Sequence, residues 1–166
     1  MSKLDYKKLN ETIRYTMWST FKVTPGALGE DRAAAVEATR EFLARYDDAD
    51  LVIRGFYDVS AMRAEADFMF WVHAEKMEDV QAFYNAFLRE TPLGRASTPH
   101  WSNAALHRPA EFNKSHLPSF IMGEEPGRWI AVYPFVRSYD WYLLKPEDRR
   151  RILAEHGQAG RDYPDV

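Results

Sequence analysis

Cysteine is absent from the 166 residues of the chain. This absence excludes disulfides, thiolate zinc sites, iron–sulfur clusters and cysteine nucleophiles together, and it is typical of proteins from reducing compartments. The chain also lacks any run approaching the roughly 18 apolar residues that a membrane-spanning helix needs, and its first residues lack the apolar core of a signal peptide. The sequence therefore predicts a soluble, cytoplasmic protein with no membrane span.

An excess of positive charge is lacking as well. Lys and Arg number 22 against 25 Asp and Glu, which gives a formal net charge of -3. Because no basic field spans the chain, we expect no nucleic-acid partner. The segment GALGEDR is not a phosphate-binding loop, since it lacks both the Lys-Ser/Thr pair of a P-loop and the spacing of a dinucleotide fingerprint. Apolar residues, by contrast, make up 46% of the chain and aromatic residues 14%, a composition that excludes intrinsic disorder and predicts a folded protein.

Periodic patterns of apolar residues predict six elements between residues 11 and 107. They are strand 11–23, helix 29–46, strands 51–59 and 66–73, helix 76–89 and strand 98–107. The second helix is the clearest, because its apolar residues recur at helical spacing on one face. The order β-α-β-β-α-β indicates an α+β, ferredoxin-like fold, in which an antiparallel sheet carries both helices on one face.

A second copy of the pattern begins later in the chain. Residues 108–127 are a long connector with proline and glycine signals. Residues 129–139 are predicted to be a strand, and a helix is predicted to begin with Pro146 at its first position and to end at Gly157 and Gly160. One strand and one helix cannot complete a sheet, so they either pack on another subunit or belong to a longer protein, and we expect the latter. The predicted divisions are 1–107, a first repeat; 108–127, a connector; and 128–166, the start of a second repeat.

Alternation along the predicted strand places a phenol and a guanidinium on one face, those of Tyr133 and Arg137. The pair could form a pocket wall in which Arg137 binds a carboxylate and Tyr133 does redox or acid–base chemistry. The alternative is a half-buried tyrosine beside a solvated arginine, which is ordinary for a strand.

Two histidines are candidates for chemistry. His156 follows Ile152 by one helical turn near the end of the last helix, where it could ligate a metal or haem, or could simply complement the helix dipole. His116 lies with Lys114 in the connector, which could form a mobile acid–base lid or an ordinary solvated loop. The other histidines have no acidic or imidazole neighbour at a metal-binding spacing, and we interpret them as structural: His73, His100 and His107.

Several long segments carry a family resemblance. They are RYTMW, RGFYDV, FMFWVHAEK, ALHRPAEFNKSHLPSFIMGEEPGRWIAVYPFVRSYDWYLL and LAEHGQAGRDYPDV. Together they resemble the coproheme decarboxylases of the chlorite dismutase superfamily, in their actinobacterial form, over essentially the whole chain. The resemblance implies the ferredoxin-like dimeric α+β barrel, with two repeats in each subunit, haem bound in the second repeat, and a homopentamer.

The resemblance also implies roles for individual residues. The histidine of the HGxxGRxY stretch is the proximal iron ligand of that family and falls on His156, and the tyrosine of the YPxxR segment is its redox-active residue and falls on Tyr133. Arg137 matches a propionate-binding cation, and Trp141 matches a tryptophan that borders a propionate. His116 matches the distal base that deprotonates hydrogen peroxide. Lys114, its neighbour in the connector, is expected to lie near the carboxylates of the porphyrin.

The implied reaction belongs to haem biosynthesis and is that of an oxidoreductase. Fe-coproporphyrin III, or coproheme, is both substrate and redox cofactor, and two rounds of oxidation by hydrogen peroxide turn two propionates into vinyls and give haem b. Within the superfamily the alternatives are chlorite decomposition and another haem peroxidase activity. Outside it, the alternative is a non-catalytic, oligomerising ferredoxin-like module.

Overall fold

A computed structural model describes residues 5–109 and 117–163. The chain divides into two compact units, Met1–Pro126 and Gly127–Val166. The elements of the first unit are α1 (Tyr6–Glu11), β1 (Arg14–Val23), α2 (Arg32–Ala44), β2 (Val52–Asp58), β3 (Phe68–Ala74), α3 (Met77–Glu90), α4 (Pro92–Arg95), β4 (Ser97–His107) and α5 (Ser119–Met122). The second unit contributes α6 (Tyr139–Leu143) and α7 (Pro146–Gly160).

The strands of the first unit form one antiparallel sheet in the order β2-β3-β1-β4. β1 lies inside the sheet, with Trp18 opposite Trp71 on one side and opposite Asn103 on the other. This order and the two long helices between the strands confirm the predicted ferredoxin-like repeat. The short helices α1 and α4 were not predicted.

The core of the first unit lies between one face of the sheet and the two long helices. Along β3, alternate residues Phe68, Phe70 and Val72 belong to the buried cluster, as do Phe42 of α2 and Phe83 of α3. The Phe70 and Phe83 rings meet edge to face at 5.2 Å between centroids, an arrangement that aromatic pairs prefer. Both long helices therefore cover the same face of the sheet, and the opposite face is not covered by them.

A close backbone approach occurs between α3 and α4 at Gly94. The buried hydroxyl of Thr91 donates to the Phe87 carbonyl at 2.8 Å and accepts from the Gly94 N–H at 2.8 Å. A Cβ added to Gly94 would lie 2.0 Å from the Phe87 carbonyl oxygen. Only glycine fits here, because a backbone atom of a packed helix cannot move aside as a flexible side chain can.

We therefore expect Gly94→Ala to lower the free energy of unfolding by about 3 kcal/mol, the upper range for forcing one extra methyl into packed structure. Urea unfolding followed by circular dichroism measures the change. Gly157→Ala is the matched control, because a Cβ there meets nothing within 4 Å. Added helix propensity should make that control neutral or stabilising by up to about 1 kcal/mol. Equal losses in the two variants would contradict the steric argument.

The second unit differs from its prediction in two places. Residues 129–138 are not a strand, and Tyr139, the last residue of the predicted strand, begins α6 instead. A strand needs a hydrogen-bonded neighbour, and no segment within residues 5–109 and 117–163 pairs with this one. α7 does begin with Pro146, but Gly157 lies inside the helix, which ends at Gly160. A glycine within a helix costs only about 1 kcal/mol, which is too little to end it.

No helix within the described ranges is both long enough and apolar enough to cross a bilayer.

Candidate functional site

Arg137 and Trp141 are brought together in the second unit. The guanidinium carbon of Arg137 lies 4.4 Å from the centroid of the Trp141 ring, within the range of a cation–π contact. Trp141 in turn meets Tyr142 edge to face at 5.5 Å. The contact forms because α6 begins at Tyr139 and turns the chain, so that an indole four residues further on reaches the arginine. A guanidinium held over an indole presents both a charge and a flat apolar surface, which together suit a carboxylate on an aromatic ligand.

Tyr133 lies in the extended segment before α6. Its side chain is 67% exposed, and its ring stacks on that of Phe135 at 6.4 Å. The two rings are two residues apart and lie on the same side of the chain, as alternation in an extended segment requires. An exposed phenol supported from one side is accessible to a large planar ligand.

His156 lies on α7 and is exposed. It shares one helical face with Ile152 and Leu153, which are half-buried, and with Arg149 one turn before them. An exposed imidazole beside an apolar stripe can offer a nitrogen to iron while the stripe contacts a porphyrin ring. No group of three or more His, Cys, Asp or Glu residues that could hold a metal ion occurs in the described ranges.

The connector candidates Lys114 and His116 lie outside the described residues. The structure thus joins Arg137 to Trp141 and places Tyr133 and His156 in the same unit as that pair. The assignments of all six residues remain predictions.

The first unit holds a polar cluster around the buried His73 that sequence patterns did not reveal, on the sheet face opposite the long helices. Arg14 donates from Nε to Nδ1 of the buried His73 at 2.8 Å, and its Nη1 forms an ion pair with Asp50 at 2.9 Å. Because Nδ1 accepts, the imidazole is neutral. Burial, followed by the positive charges of Arg14 and Arg54, lowers the pKa of His73 to about 4. The interpretation of His73 as a structural residue agrees with these contacts.

This cluster predicts a loss of stability in mild acid. Unfolded His73 takes up a proton near pH 6.5 whereas the folded protein does so only near pH 4, so its contribution is complete above pH 6.5 and falls as the pH drops towards 4. Between pH 7.5 and pH 5 the free energy of unfolding should fall by about 2 kcal/mol through this residue. In His73→Gln, which keeps an acceptor for Arg14, that component should disappear from urea-unfolding curves. His100→Gln, at an exposed histidine of β4, should retain it, and indistinguishable pH profiles for wild type and His73→Gln would contradict the prediction.

Donors without acceptors lie on the same sheet face. Trp18 stacks on Trp71 at 5.9 Å, and the Arg54 guanidinium lies 5.0 Å from the centroid of a Trp71 ring. The buried Nε1 of Trp18 and the buried Nε and Nη2 of Arg54 have no hydrogen-bond partner among the described residues. Phe120 of α5 covers part of this face, with its ring 6.0 Å from that of Trp71. Alternation in β1 could have indicated this second face, because Thr16, Trp18 and Thr20 alternate with core positions.

The chain is similar to known proteins along its whole length. The family model described as chlorite dismutase matches residues 32–166. The chain belongs to the chlorite dismutase family. Its resemblance to the coproheme decarboxylases is confirmed by a protein of that name from Mycolicibacterium smegmatis, which is 59% identical over 166 residues, covering 100% of this chain and 72% of the relative.

Two more distant proteins also match most of the chain. A coproheme decarboxylase from Staphylococcus saprophyticus is 24% identical over 164 residues, and the match covers 88% of this chain and 64% of that protein. A solved structure of chlorite dismutase from Candidatus Nitrospira defluvii, in complex with imidazole, superposes with a TM-score of 0.67 at 24% identity, covering 96% of this chain and 70% of that one. That likeness confirms the α+β fold.

Proposed function

We propose that this protein is a coproheme decarboxylase, an oxidoreductase that converts Fe-coproporphyrin III to haem b. The observation that carries the proposal is the 59% identity to the relative of that name along the entire chain. The second unit supports it, because an accessible phenol, a guanidinium–indole pair and an exposed imidazole all occur within residues 127–163. This donor set fits a porphyrin that has iron at its centre and carboxylates at its edge.

Each candidate residue has one task in this proposal. His156 ligates the iron through a ring nitrogen, and Arg137 and Trp141 receive a propionate, with Lys114 as a further cation near the carboxylates. His116 takes a proton from hydrogen peroxide as a general base. One oxidising equivalent of the peroxide would remove the hydrogen atom of the Tyr133 hydroxyl, and the phenoxyl oxygen would then take a hydrogen atom from the β-carbon of the propionate. When bound, coproheme supplies the iron at which peroxide is reduced.

The reaction balances for one peroxide per propionate. Conversion of a propionate to a vinyl breaks one C–H bond at the β-carbon and the bond to the carboxylate carbon, forms a carbon–carbon double bond, and releases carbon dioxide, one proton and two electrons. Hydrogen peroxide accepts two electrons and two protons and becomes two water molecules. Two rounds give the two vinyls of haem b. Peroxide and propionate are the net oxidant and reductant, and the protein contributes placement, proton transfer and the transfer of a hydrogen atom through Tyr133.

The proposal extends to assembly and location. We infer a homopentamer in the cytoplasm, in which residues 1–107 form the first repeat, 108–127 the connector and 128–166 the beginning of the haem-binding repeat. The support is the family membership and the absence of cysteine.

Titration with ferric coproheme, followed by hydrogen peroxide, tests the proposed function. We expect a shift of the Soret band on binding, and mass spectrometry should then show successive loss of two carboxyl groups. Binding without decarboxylation, together with release of dioxygen from added chlorite, would replace the proposal with chlorite decomposition. No Soret change at all would favour the non-catalytic module.

A further inference from the structure

Arg149 joins the two helices of the second unit. It lies in the second turn of α7, and its Nη1 donates to the Tyr142 carbonyl of α6 at 2.8 Å. Its guanidinium carbon also lies 6.0 Å from the centroid of the Trp141 ring, the same indole that Arg137 contacts at 4.4 Å. Two guanidinium groups, one from each side of α6 in the sequence, therefore meet one indole.

The carbonyl that Arg149 binds is at the end of a helix. α6 ends at Leu143, so the Tyr142 carbonyl is one of those that a helix leaves without an intrahelical partner. A hydrogen bond from a charged donor is about twice as strong as a neutral one, and this one fixes the last turn of α6 against α7. Only Leu144 and Lys145 separate the two helices, so the contact fixes the angle between α6 and α7.

The same residue lies on the histidine face of α7. His156 follows Arg149 by seven residues, which is close to two full turns and places the two side chains on one side of the helix, about 10 Å apart along its axis. One side chain thus connects the helix that carries the candidate iron ligand to the indole at which a propionate is expected.

We propose that Arg149 is a positioning residue of the porphyrin site, which sets the spacing between the Arg137–Trp141 pair and His156. The inference rests on the proposed function, because it assigns the two ends of that spacing to a propionate and to iron. Arg149 acts through Trp141 and the α6 backbone. Its second contribution is charge, since a carboxylate beside Trp141 is attracted by both guanidinium groups.

The test compares Arg149→Met and Arg149→Lys with a matched control. Met keeps the length of the aliphatic stem and removes both the donor and the charge, whereas Lys keeps a donor and a charge but not the planar group. Arg150→Met is the control, because it removes the same charge from the next, exposed position of α7. Hydrogen–deuterium exchange over residues 139–144 is measured without ligand, and coproheme affinity is measured from the Soret band.

In Arg149→Met we expect faster exchange over residues 139–144 and a coproheme dissociation constant about tenfold higher, the scale for losing one charge-assisted hydrogen bond. Arg149→Lys should recover part of both effects, and Arg150→Met should change neither. Faster exchange with unchanged affinity would show that Arg149 only stabilises the local structure, and it would overturn the inference. No change in either measurement would overturn it as well. If the wild-type chain itself binds no coproheme, the proposed function fails first and the inference falls with it.

Discussion

Tyr133→Phe is expected to bind ferric coproheme with nearly the affinity of the wild type and to form no vinyl product. The substitution removes only the hydroxyl, so the ring remains to stack on Phe135, and the exposed position leaves no buried partner unsatisfied. Under the proposed function, that hydroxyl loses its hydrogen atom to the oxidant formed from peroxide, and the resulting phenoxyl oxygen takes one from the β-carbon of the propionate. Haem b formation should fall by about a thousandfold or more, the scale for removing a group that acts in the chemical step.

Tyr163→Phe is the matched control for this prediction. Tyr163 belongs to the same unit and is 68% exposed, against 67% for Tyr133, so the two substitutions remove equally accessible phenols. Product is measured by mass spectrometry after stepwise addition of peroxide, and binding by the Soret titration. Haem b formed at the wild-type rate by Tyr133→Phe would contradict the assigned role, and an equal loss in both variants would indicate general damage by oxidation.

The first repeat could be predicted from sequence because its elements are long and each carries a recognisable pattern. β1 alternates between its two faces, β3 is an apolar run that is buried on both faces, and α3 places its buried residues at helical spacing. α1 and α4 have six and four residues, which is too short for a period to show. Their first turns depend on local hydrogen bonds instead, which the Lys8 N–H donates to the Asp5 carboxylate and the Gly94 N–H donates to the Thr91 hydroxyl.

Residues 129–138 of the second unit were predicted to be part of a strand and are not one. The alternating aromatic residues after Trp129 predicted a strand, and the side-by-side rings of Tyr133 and Phe135 satisfy that alternation. A strand, however, is defined by its hydrogen-bonded neighbours, and sequence alternation gives no information about whether a neighbour is present. Apolar side chains in this segment are consequently exposed, with Val136 at 96%.

The candidate site was predictable by residue but not by arrangement. Strand alternation singled out Arg137, and the family resemblance added Trp141. A strand through Tyr139 would have kept the two apart, and only the turn into α6 explains their contact. Arg149 was missed because it stands in a run of three arginines, which is typical of a solvated helix face. The Arg14–His73 pair was missed because 59 residues separate its members in sequence.

His156→Ala is expected to remove the iron ligand while leaving the edge of the porphyrin bound. His156 is exposed on α7, so its loss costs little stability and the helical signal in circular dichroism should be unchanged. Arg137 and Trp141 lie on other parts of the unit and keep their contact with each other, so carboxylate recognition should survive. The ferric coproheme complex should therefore still form, with an affinity lower by about 10–100-fold and with the Soret band of iron that lacks a protein ligand.

Added imidazole distinguishes lost ligation from lost structure. The truncated side chain leaves room for free imidazole on the same helix face, and millimolar imidazole should restore the wild-type Soret band in His156→Ala. His100→Ala, at an exposed histidine in the first unit, should bind coproheme as the wild type does and respond to imidazole in the same way as the wild type. A wild-type Soret band in His156→Ala before imidazole is added would show that another residue is the iron ligand. In that case the positioning role proposed for Arg149 would also be wrong, because Arg149 is linked to the iron only through the histidine face of α7.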